Sequence, residues 1–283
     1  MIFDYQYFPL YVGINKSFNL SSMISILNIM KIVVLLKVVP DTETRFQLNS
    51  DSSDVVWDSS IEWVIGPYDE YAIEEAIQIK EKLGGEVISV TIGRGNEEKS
   101  IRKAMAMGID SGILINSPEL ADSDLISLAK ALAEVIKPLG ADLIITGKMA
   151  TDSGDSFIGP AVAELLSIPS ITEISSLETT ENGVVATRDA SGRKEKFESS
   201  FPVLLTADKG LNEPRYPKLP MIMKAKKKPL EIKESAGTEI TKNVNLVSVS
   251  YPLKKDAGEL ITGTVDEIVG QLVDGLQNKE KVI

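Results

Sequence analysis

The chain has 283 residues, 43% of them apolar and 25% charged, a net charge of −11, and neither cysteine nor histidine. These figures suit one large α/β domain with appendages and argue against general binding to nucleic acid or anionic membranes. The two missing residue types exclude disulfides, thiolate nucleophiles, Cys-ligated zinc or iron–sulfur clusters and Ser-His-Asp triads, so chemistry must come from carboxylates, lysines, hydroxyls or a bound cofactor.

Residues 1–29 are rich in aromatics and poor in charge, but they lack the basic start, apolar run and cleavage site of a signal peptide. They are expected to be a disordered tail or a misread upstream stretch, with Met30 the natural start. No stretch of about 18 apolar residues occurs, so no membrane span is expected. A cytoplasmic location is expected. Residues 31–37 form a continuous β-branched run, the mark of a strand buried on both faces. Pro40 and Asp41 break it, and residues 46–64 read as polar and irregular, with a small hairpin ending near Trp57 and Trp63.

The spacing then predicts a helix over 69–83, stopped by Gly84-Gly85, with Ala72, Ile73, Ala76, Ile77 and Leu83 on one face. Strand 86–92, a Gly93-Arg94-Gly95 turn and helix 97–107 follow. Next come strand 112–115, helix 124–136, strand 142–145, and a loop from Gly147 into helix 158–166. Four strand–helix units in succession imply right-handed crossovers and a doubly wound, mostly parallel sheet. Residues 184–188 and 195–201 read as an antiparallel hairpin, and 202–207 as a returning buried strand. Beyond Pro229 an extended arm is expected. It ends in a helix over 264–276, where Thr264 and Glu267 have capping-box spacing. Its apolar stripe needs a surface, in its own domain or on a partner.

Ligands of open parallel sheets gather at the carboxyl ends of the strands. Three segments arrive there: Leu35 to Thr42, Ile92 to Gly95, and Gly147 to Pro160. The last is the strongest candidate, because its glycines allow close approach, Ser153 and Ser156 offer hydroxyls, and the following helix presents amides suited to phosphate. Neither a dinucleotide G-x-G-x-x-G nor a P-loop is present.

One string has no local structural reason. Leu211-Asn212-Glu213-Pro214-Arg215-Tyr216-Pro217-Lys218-Leu219-Pro220 holds three prolines in seven residues, which block helix and sheet pairing, and a basic run, Lys224 to Lys228, follows it. An ordered loop of this kind reads as a docking element. With its continuation Met221-Ile222-Met223-Lys224-Ala225-Lys226-Lys227-Lys228, the string resembles the N-E-P-R-Y…L-P-x-I-M-K-A-K-K-K signature of the electron transfer flavoprotein beta subunit. Three further blocks fall in that family's order: Lys37-Val38-Val39-Pro40-Asp41-Thr42, the stretch from Gly66-Pro67-Tyr68-Asp69 to Glu74-Glu75-Ala76, and Ile101-Arg102-Lys103-Ala104-Met105-Ala106-Met107-Gly108. The likeness spans about residues 30–252.

The resemblance implies an electron-carrying subunit that makes no bonds itself. It would pair with an alpha subunit that holds most of a shared FAD, taking electrons from acyl-CoA or other dehydrogenases to a quinone reductase or other acceptor. It implies AMP, or a second FAD in bifurcating members, bound at Leu35, at Gly66, Pro67, Tyr68 and Asp69, at Ile92, and at Asp152, Ser153, Gly154, Asp155, Ser156, Phe157, Ile158, Gly159, Pro160, Ala161 and Val162. Thr42 would lie near the partner's flavin. Leu211, Asn212, Glu213, Pro214, Arg215 and Tyr216 would dock the dehydrogenase, with Leu211 as an apolar anchor. Residues 30–225 would form the nucleotide-binding domain, and 226–283 an arm and helix. Gly66, Gly154 and Phe157 depart from residues common in the family, which leaves AMP and the second FAD as alternatives. A nucleotide-binding protein of the universal-stress type shares the expected fold, but not the N-E-P-R-Y loop.

Overall fold

The computed structural model describes residues 29–234, 236–237, 239–240, 243–253 and 258–283. The expected tail therefore lies almost wholly outside the described residues. They fall into two compact units, the larger running through residue 46 and over 57–245, the smaller over 47–56 and 246–283.

The larger unit is built on a nine-stranded sheet and a separate two-stranded pair. β1 is Lys31–Leu35; β2, Val38–Pro40, leaves the sheet to pair antiparallel with β3, Trp63–Ile65. Helix α1, Pro67–Leu83, follows. Its first turn starts two residues before the apolar stripe predicts, because Pro67 occupies the first helical position, where no amide hydrogen is needed. Then come β4 (Glu86–Gly93), α2 (Glu98–Met107), β5 (Ser111–Asn116), a short α3 (Pro118–Ala121), α4 (Leu125–Ile136), β6 (Leu143–Gly147) and α5 (Ile158–Leu166). The remaining elements are β7 (Ser170–Thr179), β8 (Gly183–Ala190), β9 (Arg193–Ser200), β10 (Val203–Ala207), α6 (Leu219–Ala225) and β11 (Leu230–Lys233).

The sheet order is β11-β5-β4-β1-β6-β10-β7-β8-β9. All pairings are parallel except β7–β8 and β8–β9, so this is the mostly parallel, doubly wound α/β architecture the sequence implies. Periodicity misses β7, whose mixed polar and apolar residues follow no clean alternation, and β11, a four-residue strand that opens the expected arm. β1 is apolar beyond Lys31 because helices cover both of its faces. Ile32 and Val34 join the core under α1 and α2, while Val33 and Leu35 join the core under α4 and α5. The two edges are charged. Arg193, Lys194, Lys196 and Glu198 are exposed along β9, and β11 carries Glu231 and Lys233.

The chain runs from β1 outward to β4 and β5, then crosses back to place β6 on the other side of β1. That reversal opens a crevice at the carboxyl ends of β1 and β6, where open α/β sheets bind ligands.

In the smaller unit Leu48 and Val55 form an antiparallel bridge, narrower than the expected 46–64 hairpin. Trp57 and Trp63 instead stack on each other in the larger unit, with ring centroids 5.7 Å apart. The terminal helix α7, Val265–Asp274, has the predicted capping box in full, with Thr264 and Glu267 satisfying each other's amides. None of its residues is buried, Val265 is 76% exposed and only Ile268 is half-buried, so its apolar stripe lies largely open among the described residues.

Candidate functional site

The crevice is held open by one carboxylate. Asp69 sits in the first turn of α1, and its Oδ2 accepts the Lys37 amide just past β1 at 2.8 Å. Its Oδ1 accepts the Gly147 amide at the end of β6, at 2.9 Å. The two strand ends flanking the reversal are thus tied to one side chain. Gly147 has to be glycine, since a Cβ there would lie 2.6 Å from Asp69 Oδ1 and 2.7 Å from Tyr68 Cβ. Burial pushes the Asp69 carboxyl up to about 7, against the pull of the Lys37 and Gly147 amides and the Lys37 charge, and with a small further push from Asp152.

Around this brace lies a cleft. Leu35, Lys37 and Val38 from the end of β1, Ile92 from β4, and Thr146 to Ala150 after β6 form its base. Leu125, Leu128 and Leu132 of α4 supply an apolar wall, and Ser153, Asp155, Ser156, Phe157, Ile158 and Gly159 close the far side. The loop into α5 turns through two left-handed residues, Gly154 at φ 68° and Ser156 at φ 51°. No side chain caps α5, so its amino end faces the cleft with its own partial positive charge. A Cβ at Gly159 would meet Thr206 Cγ2 at 2.7 Å and Thr146 Cγ2 at 3.0 Å, so its bareness lets α5 lie close on the sheet. Lys37 adds an ammonium group at the rim, 2.8 Å from Asp152.

The neighbouring turn is different. The Glu97 carboxylate accepts the Arg94 and Gly95 amides, each at 2.8 Å. Those donors are already taken, which leaves the α5 end as the anion-seeking side of the cleft.

Leu35, Asp69, Ile92, Ser153, Asp155, Ser156, Phe157, Ile158 and Gly159, named from the sequence, all line this space. Gly66 and Pro67 begin α1, and the Tyr68 ring lies under the Lys148 ammonium, 5.1 Å from its centroid. Asp152 pairs with Lys37, Pro160 and Ala161 continue α5, and Val162 is buried in the core beneath it. Thr42 is exposed in a turn and does not line the cleft. Sequence reasoning did not single out Lys37, Thr146 or the α4 wall. The apolar face of α4 carries no mark that separates a pocket wall from core.

The proline-rich loop is braced from beneath. Arg215 grips two acids of α1, donating to Glu74 from Nε at 2.8 Å and to Glu81 from Nη1 at 2.6 Å. Its own amide also reaches Glu74, at 3.1 Å. Burial pushes the Glu74 carboxyl up, but the Arg215 bonds outweigh it and hold the group below its ordinary value; Glu81 and Glu74 in turn raise Arg215. Asn212 donates to Tyr71 O at 3.0 Å and to Glu75 at 2.9 Å. Leu211 is half-buried against the core, while Tyr216 and Leu219 stand 91% and 74% exposed. The basic run is only partly a solvated face, because Lys228 caps the end of α2, donating to Met105 O at 2.9 Å and Ile109 O at 2.5 Å.

Comparison with known proteins decides the lineage. Residues 54–237 match the Electron transfer flavoprotein domain, and the chain is 43% identical to the electron transfer flavoprotein subunit beta of Bacillus subtilis over 90% of its own length and all of that protein. The chain belongs to the electron transfer flavoprotein beta-subunit family. Similar relatives extend to Thermoanaerobacterium thermosaccharolyticum, 34% identical over 89% of this chain and 100% of that subunit, and to Mus musculus, 34% over 86% and 96%. No helix among the described residues is long and apolar enough to cross a membrane.

Proposed function

We propose that this chain pairs with an alpha subunit as a heterodimeric carrier, moving electrons from acyl-CoA or other dehydrogenases to a quinone reductase or other acceptor. The observation that carries this reading is that one chain of this family has an uncapped helix end facing a switch-point cleft and, separately, a rigid loop with exposed apolar tips.

The cleft fits an adenine nucleotide, either AMP or the AMP half of a second FAD. The α5 amides and Lys37 would hold phosphate, Ser153 and Ser156 would hydrogen-bond it or its ribose, and Leu125, Leu128 and Leu132 would take the base. Asp69 holds the two strand ends at a fixed separation and itself has both oxygens engaged. The shared FAD, when bound, supplies the redox chemistry. This chain's part is to buttress it from the side of Thr42 and to present the 211–220 loop to the electron donor. The uncovered stripe of α7 supports packing of the 226–283 arm on the partner.

The test is to co-express the chain with its alpha subunit, denature the complex and count the released ligands. One FAD with one AMP supports the simple carrier, and two FAD support a bifurcating form. No complex and no flavin overturns the reading.

A further inference from the structure

Beside the loop lies a groove that the cleft does not use. Its floor is Ala106 of α2 with Pro217 and Ile222, its rim is Lys99, Lys103 and Lys226, and its one carboxylate, Glu98, is paired with Arg102 at 3.2 Å. The walls are fixed relative to each other, because the Arg102 guanidinium on α2 donates to Ala225 O at 3.1 Å and to Lys228 O at 2.7 Å. The apolar floor continues outward into Leu219 and Met223, both well exposed.

The charge around it runs against the rest of the molecule. The chain carries −11 overall, yet Lys99, Lys224, Lys226 and Lys227 have no ion-pair partner among the described residues, and Lys103 pairs only with the half-buried Glu70. Unpaired lysines ringing an apolar floor raise the local potential, and carboxylates arriving with an apolar side chain relieve it. A duplex or a lipid surface would meet the strongly acidic remainder of the chain and could not enter a concave groove. A narrow acidic segment meets only the groove.

We propose that this groove docks an acidic, amphipathic segment of a protein partner. Its apolar residue sits over Ala106, Pro217 and Ile222, and its carboxylates lie against Lys99 and Lys226. The proposal deepens the docking reading of the 211–220 loop by making α2 a second wall of the same surface.

The full-length chain is titrated with a labelled helical Glu/Leu peptide, with a Lys/Leu peptide as control and phosphatidylglycerol vesicles as the competing surface. Binding of the Glu/Leu peptide alone is expected, weakening as salt rises. The double variant Lys99→Glu/Lys226→Glu should weaken it about tenfold at unchanged melting temperature, since each exposed charge pair is worth up to about 1 kcal/mol. Lys99→Gln/Lys226→Gln should fall between, which guards against a folding artefact of the reversal. Equal binding by the variants, no peptide binding, or preference for the vesicles overturns the proposal. Electron acceptance from an acyl-CoA dehydrogenase separates it from the loop reading. If Tyr216→Ala, at the exposed tip of the loop and outside the groove, slows transfer while the reversed lysines do not, the loop stands and the groove falls. The opposite pattern keeps the groove and drops the loop, and no effect from either set overturns both.

Discussion

At the cleft, backbone meets backbone because side chains are missing or turned inward. Gly147 leaves room for Asp69, Gly159 leaves room for the sheet, and the buried carboxylate, Asp69, spends both oxygens on main-chain amides. The 211–220 loop is built the other way, by long side chains that reach down to α1 and hold an extended backbone that makes few bonds of its own. A binding cleft needs vacated space, whereas a docking surface needs a stiff support beneath an exposed tip. Stiffening in advance lowers the ordering cost of association.

That contrast can be broken most forcefully at Gly159. Gly159→Val should cost about 3 kcal/mol and release the nucleotide proposed to bind there, because α5 must lift off Thr206 and Thr146. Chemical denaturation together with nucleotide content measures both, and a stable, nucleotide-replete variant would refute the vacated-space account. Arg215→Ala comes next. It leaves the buried Glu74 without its partner and should cost about 2 kcal/mol while slowing donor reactions with nucleotide content intact. Loss of nucleotide in that variant would show that the two regions are not independent.

Asp69→Asn should cost only about 1 kcal/mol at neutral pH, because the buried site already penalises the ionised form. Its sharper signature is pH dependence. With the folded carboxyl raised to about 7 from an ordinary 3.8, the folded state binds more protons than the unfolded one across that window. The Asp69 contribution therefore makes stability fall as pH rises from about 4 to about 7 and level off above, and Asp69→Asn should remove that slope. An identical pH profile in both proteins would refute the shift. In the smaller unit, Thr264→Ala should cost α7 about 1 kcal/mol of local stability, visible as faster amide exchange in its first turn. The smallest effect on stability is expected from Leu219→Ala, below about 0.5 kcal/mol, although it sits where donor docking is proposed.

The parallel core was legible because buried strands and amphipathic helices carry distinct periods, and the gaps between them hold glycine and proline. β7 and β11 were not legible, one because its burial alternates irregularly through a bulge, the other because four residues hold no period. The loop into α5 was visible as chemistry from Ser153, Ser156 and its glycines. The internal role of Asp69 was not, because the amides it accepts lie 32 and 78 residues away in the chain. The same holds for Arg215, whose partners in α1 come from more than a hundred residues earlier, so that a side chain read as a docking contact serves as a strut.

The charged borders of the central sheet bear on how this protein can be stored and handled. A nine-stranded sheet offers two rows of unsatisfied backbone groups, and a subunit made before its partner arrives would be prone to join others strand to strand. β9 presents lysine, arginine and glutamate along its outer face, and β11 is too short to template a long ribbon. Neutralising Lys194 and Lys196 should therefore raise the tendency of the chain to join others through β9, read as increased light scattering on standing, with no change in its folded core.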